Sequence, residues 1–231
     1  MTPDEPSAVL RTEGLTRILP GEVPVTLVRD VTLAIPRGKF VCIQGPSGSG
    51  KSSLLYLLGL LDVPTRGRIW LDGIDTSGFG EDQLARIRLE KLGFVFQFHF
   101  LLAEFSVLDN VVLPMARLGR LAPDEQRARA ARLLTDLGLG EHLEKRPDQL
   151  SGGQRQRVAI ARARANEPLV ILADEPTGNL DRESSANVRQ ILNDIVRTAH
   201  KTVVAVTHDP AFATVADRTI RIVDGRIDAD T

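Results

Sequence analysis

Three short stretches carry residues of the types and spacing that phosphate chemistry needs. Gly45-Pro46-Ser47-Gly48-Ser49-Gly50-Lys51-Ser52 satisfies every fixed position of the pattern G-x-x-x-x-G-K-[ST], and Ser53 follows it. Its glycines let the backbone wrap closely and aim N–H groups at a phosphate. A helix beginning there adds its positive dipole end to the same anion. Lys51 is expected to reach the β- and γ-phosphates, and the Ser52 hydroxyl to ligate Mg²⁺. Further along, Val170-Ile171-Leu172-Ala173-Asp174-Glu175 is an apolar run ending in two acids. A buried strand there carries Asp174 to the end of the sheet where ligands collect, and Asp174 can hold the Mg²⁺ through water. Glu175 then stands as general base for the water that attacks the γ-phosphate. Third, Leu150-Ser151-Gly152-Gly153-Gln154 sets a serine and two glycines ahead of a helical pattern. That is a second phosphate-binding helix start. One nucleotide does not need two of them in one chain.

The elements around these stretches alternate. Residues 25–28 and 31–35 read as short strands and residues 40–43 as a strand buried on both faces. A helix follows from 51 to about 60, then a strand at 68–72. Helical patterns over 107–118, 123–137 and 152–165 are separated by Gly and Pro breaks. Strand and helix resume with 169–174, 182–199, 202–207 and 219–223. This order predicts an α/β protein with a mainly parallel sheet covered on both faces, interrupted by an inserted helical lobe. Residues 8–97 and 161–231 are expected to form the nucleotide-binding core with its β lobe. Residues 98–160 are expected to form the helical lobe, within a single domain spanning 1–231.

Composition excludes several classes. The 231 residues are 42% hydrophobic and 26% charged with a formal net charge of −1, so no global basic field recruits nucleic acid or an anionic membrane. No stretch approaches the roughly 20 apolar residues of a bilayer span. Residues 1–7 are Pro- and acid-rich, unlike a basic-then-apolar secretory leader. The single Cys42, inside an apolar run, is expected to be a buried packing thiol in a reducing compartment.

Leu150-Ser151-Gly152-Gly153-Gln154, continued by Arg-Gln-Arg-Val-Ala-Ile-Ala-Arg-Ala, resembles the signature motif of the ATP-binding cassette ATPases. The resemblance covers nearly the whole chain, about residues 10–227. It implies a P-loop ATPase core with an antiparallel β lobe, hydrolysing MgATP. It also implies a head-to-tail dimer in which Ser151, Gly152, Gly153 and Gln154 of one copy cap the γ-phosphate on the other's P-loop, residues 45–53. Gln97 matches the family's sensor glutamine, which contacts Mg²⁺ and the attacking water. Asn179-Leu180-Asp181 matches the segment that crosses the dimer interface, and His208 the histidine that orients Glu175. His99, His142 and His200 match no motif and are expected to be structural or solvated.

Two features refine the resemblance. Residues 1–39 contain no Phe, Tyr or Trp, and Leu15-Thr16-Arg17-Ile18-Leu19 puts Leu19 where the family stacks an aromatic on adenine. Weaker adenine discrimination is therefore expected. Second, Gln97-Phe98-His99-Phe100-Leu101-Leu102, continued to Phe105, is similar to the subgroup serving lipoprotein release and macrolide export. Its large apolar side chains predict a surface for a separate membrane permease. The chain would then sit peripherally on the cytoplasmic face of the inner membrane. A cell-division or signalling permease-like partner, or a soluble cassette ATPase, is the alternative.

Overall fold

The computed structural model describes residues 8–231. The reading of residues 1–7 lies outside the described residues. Two sheets organise the chain. The first is antiparallel, in the order β2-β1-β4-β5, built from β1 (Ala8–Leu19), β2 (Val25–Pro36), β4 (Arg66–Leu71) and β5 (Ile74–Asp75). The second has the order β10-β9-β3-β8-β7-β6, from β3 (Phe40–Gln44), β6 (Leu92–Phe96), β7 (Val170–Asp174), β8 (Thr202–Val206), β9 (Arg218–Val223) and β10 (Arg226–Asp230). All its pairs are parallel except β9 with β10.

Alternation along the central strands sorts the core onto two faces. Phe40, Cys42, Ile171, Ala173, Val203 and Ala205 pack toward helices α3 (Val107–Leu118), α4 (Pro123–Asp136), α5 (Gly152–Arg164) and α6 (Arg182–Ala199). Val41, Ile43, Val170, Leu172, Val204 and Val206 face α1 (Lys51–Leu58), α2 (Glu81–Lys91) and the antiparallel sheet. Cys42 is fully buried, and burial pushes its thiol up to about 12, so the expected packing role stands. Among the described residues no helix is long and apolar enough to cross a membrane.

The structure differs from the sequence expectation in several places, strand β1 among them, whose bulged register against β2 interrupts its alternation. Residues 25–28 and 31–35 are one strand, β2, because Asp30 at φ 53 lets it bulge where its register against β1 shifts. Helix α2 was not expected: Leu84 is its single buried side chain, so it lacks an apolar stripe. Leu84 and Ile87 pack against the core, and polar contacts add to them, with Gln83 accepting the Gly80 N–H at 3.0 Å and Lys91 pairing with Asp72. Strand β10 was also unexpected; it is a largely exposed edge strand only five residues long, in which Ile227 alone packs against the core, too short an alternation to stand out.

Between β6 and α3 the chain runs as an irregular segment, organised by one buried side chain. Asn110 accepts from the Leu102 N–H at 2.8 Å and donates to the carbonyls of Leu102, Ser106 and Phe105 at 3.1, 2.9 and 3.4 Å. Asn110→Leu keeps the volume but strands those groups. It is expected to cost about 1–3 kcal/mol, read as a lowered urea midpoint. An unchanged midpoint would show that the segment is held by other contacts.

Candidate functional site

The P-loop turns out of the buried strand β3 into α1. Gly50 precedes that helix at φ 95, and a Cβ on it would lie 2.1 Å from the Leu27 carbonyl oxygen. Only glycine fits so close an approach. Lys51 is buried, with no carboxylate partner among the described residues; its Nζ donates to the Gly45 and Pro46 carbonyls at 3.0 and 2.8 Å. The Ser49 hydroxyl is buried without a hydrogen-bond partner. A buried ammonium, an unpaired hydroxyl and a helix start with no acidic residue in its first turn make a receptor for an anion.

Parallel register brings the second stretch to this loop. Ser52 Oγ donates to Asp174 Oδ1 at 2.8 Å, and the Tyr56 hydroxyl donates to Oδ2 at 2.8 Å. Burial, then the Asp174 carboxylate, pushes the Tyr56 phenol up to about 12. Ser52 and Asp174 are adjacent hard oxygen donors, a pair that fits Mg²⁺, which leaves its remaining positions to water and phosphate oxygens. Tyr56 was missed from the sequence; its only signal is its place four residues after Ser52, on the same helix face.

Glu175 sits at φ 44, an uncommon backbone conformation for a residue with a side chain, and its N–H donates to the Val206 carbonyl at 2.8 Å. That turn aims the carboxylate at His208. The His208 N–H donates to Oε2 at 3.3 Å, and Nδ1 lies 3.0 Å from Oε1. The His208 side chain is 74% exposed and that of Glu175 only 18%, so the histidine lies over the carboxylate from the solvent side. The structure does not bring Gln97 to Ser52 and Asp174. Its Nε2 donates to Asn179 Oδ1 at 3.0 Å, beside Gly178.

The third stretch stands apart. Ser151 caps α5, accepting from the Gln154 N–H at 3.2 Å, while its own N–H donates to Gln154 Oε1 at 2.8 Å. A Cβ on Gly153 would lie 2.6 Å from Ser184 Oγ, so a side chain there would have to displace Ser184. Ser184 is itself fixed by Asp181, which caps α6. Among the described residues no hydrogen bond joins residues 151–154 to residues 45–53. His142, expected to be structural or solvated, lies with Nε2 3.0 Å from Gln154 Nε2.

Leu19 ends β1, 40% exposed and paired with Val25; with exposed Val23 and Val25 it forms an aliphatic patch. Leu27, two residues on in β2, is the residue whose carbonyl crowds Gly50, so the patch borders the P-loop. On another side, Phe98 and Phe100 are each 64% exposed, and Leu102 and Phe105 are exposed as well. Leu101 instead packs partly against the core. Beside this loop lies a groove of about 380 Å³ lined by Leu61, Leu89, Phe94, Phe96, Pro114 and Arg162.

This fold and this phosphate-binding loop define a P-loop ATPase. Residues 28–178 match the family described as ABC transporter, and the chain belongs to that family, as an ATP-binding and ATP-hydrolysing cassette subunit. It is similar to the lipoprotein-releasing system ATP-binding protein LolD 1 of Chlorobium chlorochromatii. The two are 49% identical over 227 residues, covering 97% of this chain and 92% of that one. It is similar to the macrolide export ATP-binding/permease protein MacB of Marinobacter nauticus at 48% identity, covering 98% of this chain and 35% of MacB. Among solved structures it is similar to the cassette MJ0796, a dimer in a post-hydrolysis state bound to ADP and Pi. There the TM-score is 0.90 at 41% identity, over 96% of this chain and 97% of that one.

Proposed function

We propose that this chain powers a separate membrane permease of the lipoprotein-releasing kind, as one of two identical cassettes closing head to tail over two ATP molecules. The observation that carries the permease reading is the apolar groove beside the exposed Phe98, Phe100, Leu102 and Phe105. An amphipathic helix of a membrane partner would fit there, holding the chain peripherally at the cytoplasmic face. The cargo class rests on the likeness to the LolD relatives. Residues 98–160 would move as the helical lobe, carrying Ser151 toward the partner copy's nucleotide.

In this reading the P-loop amides, Lys51 and the hydroxyl of Ser49 bind the phosphates. Ser52, Asp174 and Gln97 would hold Mg²⁺, which supplies charge neutralisation on the phosphate oxygens when bound. Gln97 would leave Asn179 to do so. Glu175, aligned by His208, takes the proton of the attacking water. Ser151 and Gly153 of the second copy, with Asp181 at the interface, exclude solvent from the transferring phosphoryl group.

Purification from detergent-solubilised membranes tests the assembly. A permease subunit should accompany the wild-type chain and be lost when Phe98 and Phe100 are replaced by Ser. Purification without any membrane protein would favour a soluble cassette ATPase.

The aliphatic base site carries its own expectation. Leu19→Tyr should tighten ATP binding by about 0.5–1.5 kcal/mol and raise the ATP-over-GTP preference, measured by competition with a fluorescent nucleotide. A wild-type preference already as large as that of the Tyr variant would show that adenine is gripped elsewhere.

A further inference from the structure

Tyr56 is the chain's single tyrosine, and no motif accounts for it. Its surroundings follow from strand register. In the parallel pair β6–β7, Phe96 stands opposite Asp174, so their side chains project from the same face of the sheet at neighbouring strand ends. Helix α1 lies on that face, close enough that a Cβ on Gly59 would be 2.6 Å from the Phe94 ring. Tyr56 therefore reaches both residues. Its hydroxyl donates to Asp174 Oδ2 at 2.8 Å, and its ring meets Phe96 edge-on with centroids 6.5 Å apart. Phe96 in turn stacks on Phe94 at 5.8 Å and meets Phe100 edge-on at 5.4 Å. Phe94 and Phe96 form part of the groove wall, and Phe100 is an exposed residue of the adjoining loop.

We infer that Tyr56 is a positioning residue that sets the Asp174 carboxylate for the metal and makes its orientation depend on the aromatic wall of the groove. The inference rests on the reading of Ser52 and Asp174 as the metal-holding pair. Two hydroxyls from one helix face hold the two carboxylate oxygens separately. When Ser52 turns to the metal, the Tyr56 bond is the one that still fixes the rotation of Asp174. Because the phenol ring bears on Phe96, whatever fills the groove and shifts Phe96 also shifts the hydroxyl on Asp174. This contact does not use Gln97, whose side chain is engaged with Asn179.

The test measures equilibrium binding of a fluorescent ATP analogue to the purified full chain, with Mg²⁺ and with EDTA, and takes the ratio as the metal's contribution. Tyr56→Phe keeps the ring and removes only the hydroxyl. It should cut that contribution on the order of 10-fold, with binding in EDTA and the thermal midpoint unchanged. Phe96→Leu should reduce it in the same direction. The double variant should lose no more than Tyr56→Phe alone, since the ring contact acts through the hydroxyl. An unchanged metal contribution in Tyr56→Phe would overturn the positioning role. Additive losses would overturn the link to the groove. Asp174→Ala separates the two layers: if it keeps the wild-type metal contribution, the assignment of the metal pair fails, and not merely that of Tyr56.

Discussion

Glu175→Gln should lower ATP turnover by roughly 10²–10⁴-fold while leaving ATP binding intact and accumulating a closed dimer. The amide matches the carboxylate in size, so the turn at φ 44 and the backbone bond to Val206 are kept. It cannot accept a proton from water, and in the proposed closed assembly it would remove a negative charge from beside the bound γ-phosphate. Loss of the base and relief of that repulsion act together, so nucleotide should stay trapped between the two copies. The measurements are steady-state phosphate release and size-exclusion chromatography with ATP. Turnover near the wild-type rate would assign the base elsewhere. A dead variant that stays monomeric with ATP would mean that Glu175 acts in closure as well as in chemistry.

Ser151→Arg should abolish turnover while sparing nucleotide binding to the isolated chain. Among the described residues Ser151 makes no hydrogen bond to the P-loop, and α5 carries no acidic residue in its first turn, so that end suits an incoming phosphate. Arginine there would fill the space the partner's γ-phosphate must approach. The lost cap adds only about 1 kcal/mol of helix destabilisation. The stronger form mixes this variant with Lys51→Ala, which cannot bind nucleotide productively. Each is dead alone, but a mixed dimer holds one site with an intact P-loop from one copy and an intact capping turn from the other. Recovered activity on mixing is the expected result. If Ser151→Arg alone keeps wild-type turnover, residues 151–154 do not complete a shared site.

Both experiments turn on residues that stand out in the sequence, because the patterns that mark them are local. A glycine-rich turn between an apolar strand and a helix, or two acids at the end of a buried run, is readable from a dozen neighbouring residues. The same holds for helices α3 and α6, whose bounds matched expectation because each has a buried stripe and a side-chain cap. Helix α2 and strand β10 were not legible, since Leu84 with Ile87, and Ile227 with Ala229, are too few apolar positions to reveal a period. The break expected at residues 29–30 proved to be a bulge inside one strand, a distinction that depends on pairing with β1.

What the sequence by itself determined is the reaction class, ATP hydrolysis, with the P-loop, Asp174, Glu175 and residues 151–154 as the expected site. Tertiary structure decided how the parts are tied together. Ser52 meets Asp174 across 122 positions, Tyr56 joins the same carboxylate, and Gln97 is turned toward Asn179. Such contacts arise from strand order and register, which place Phe96 beside Asp174. No local pattern encodes that adjacency, because long-range pairing is set by how two faces of one sheet are covered and not by the residues flanking each strand.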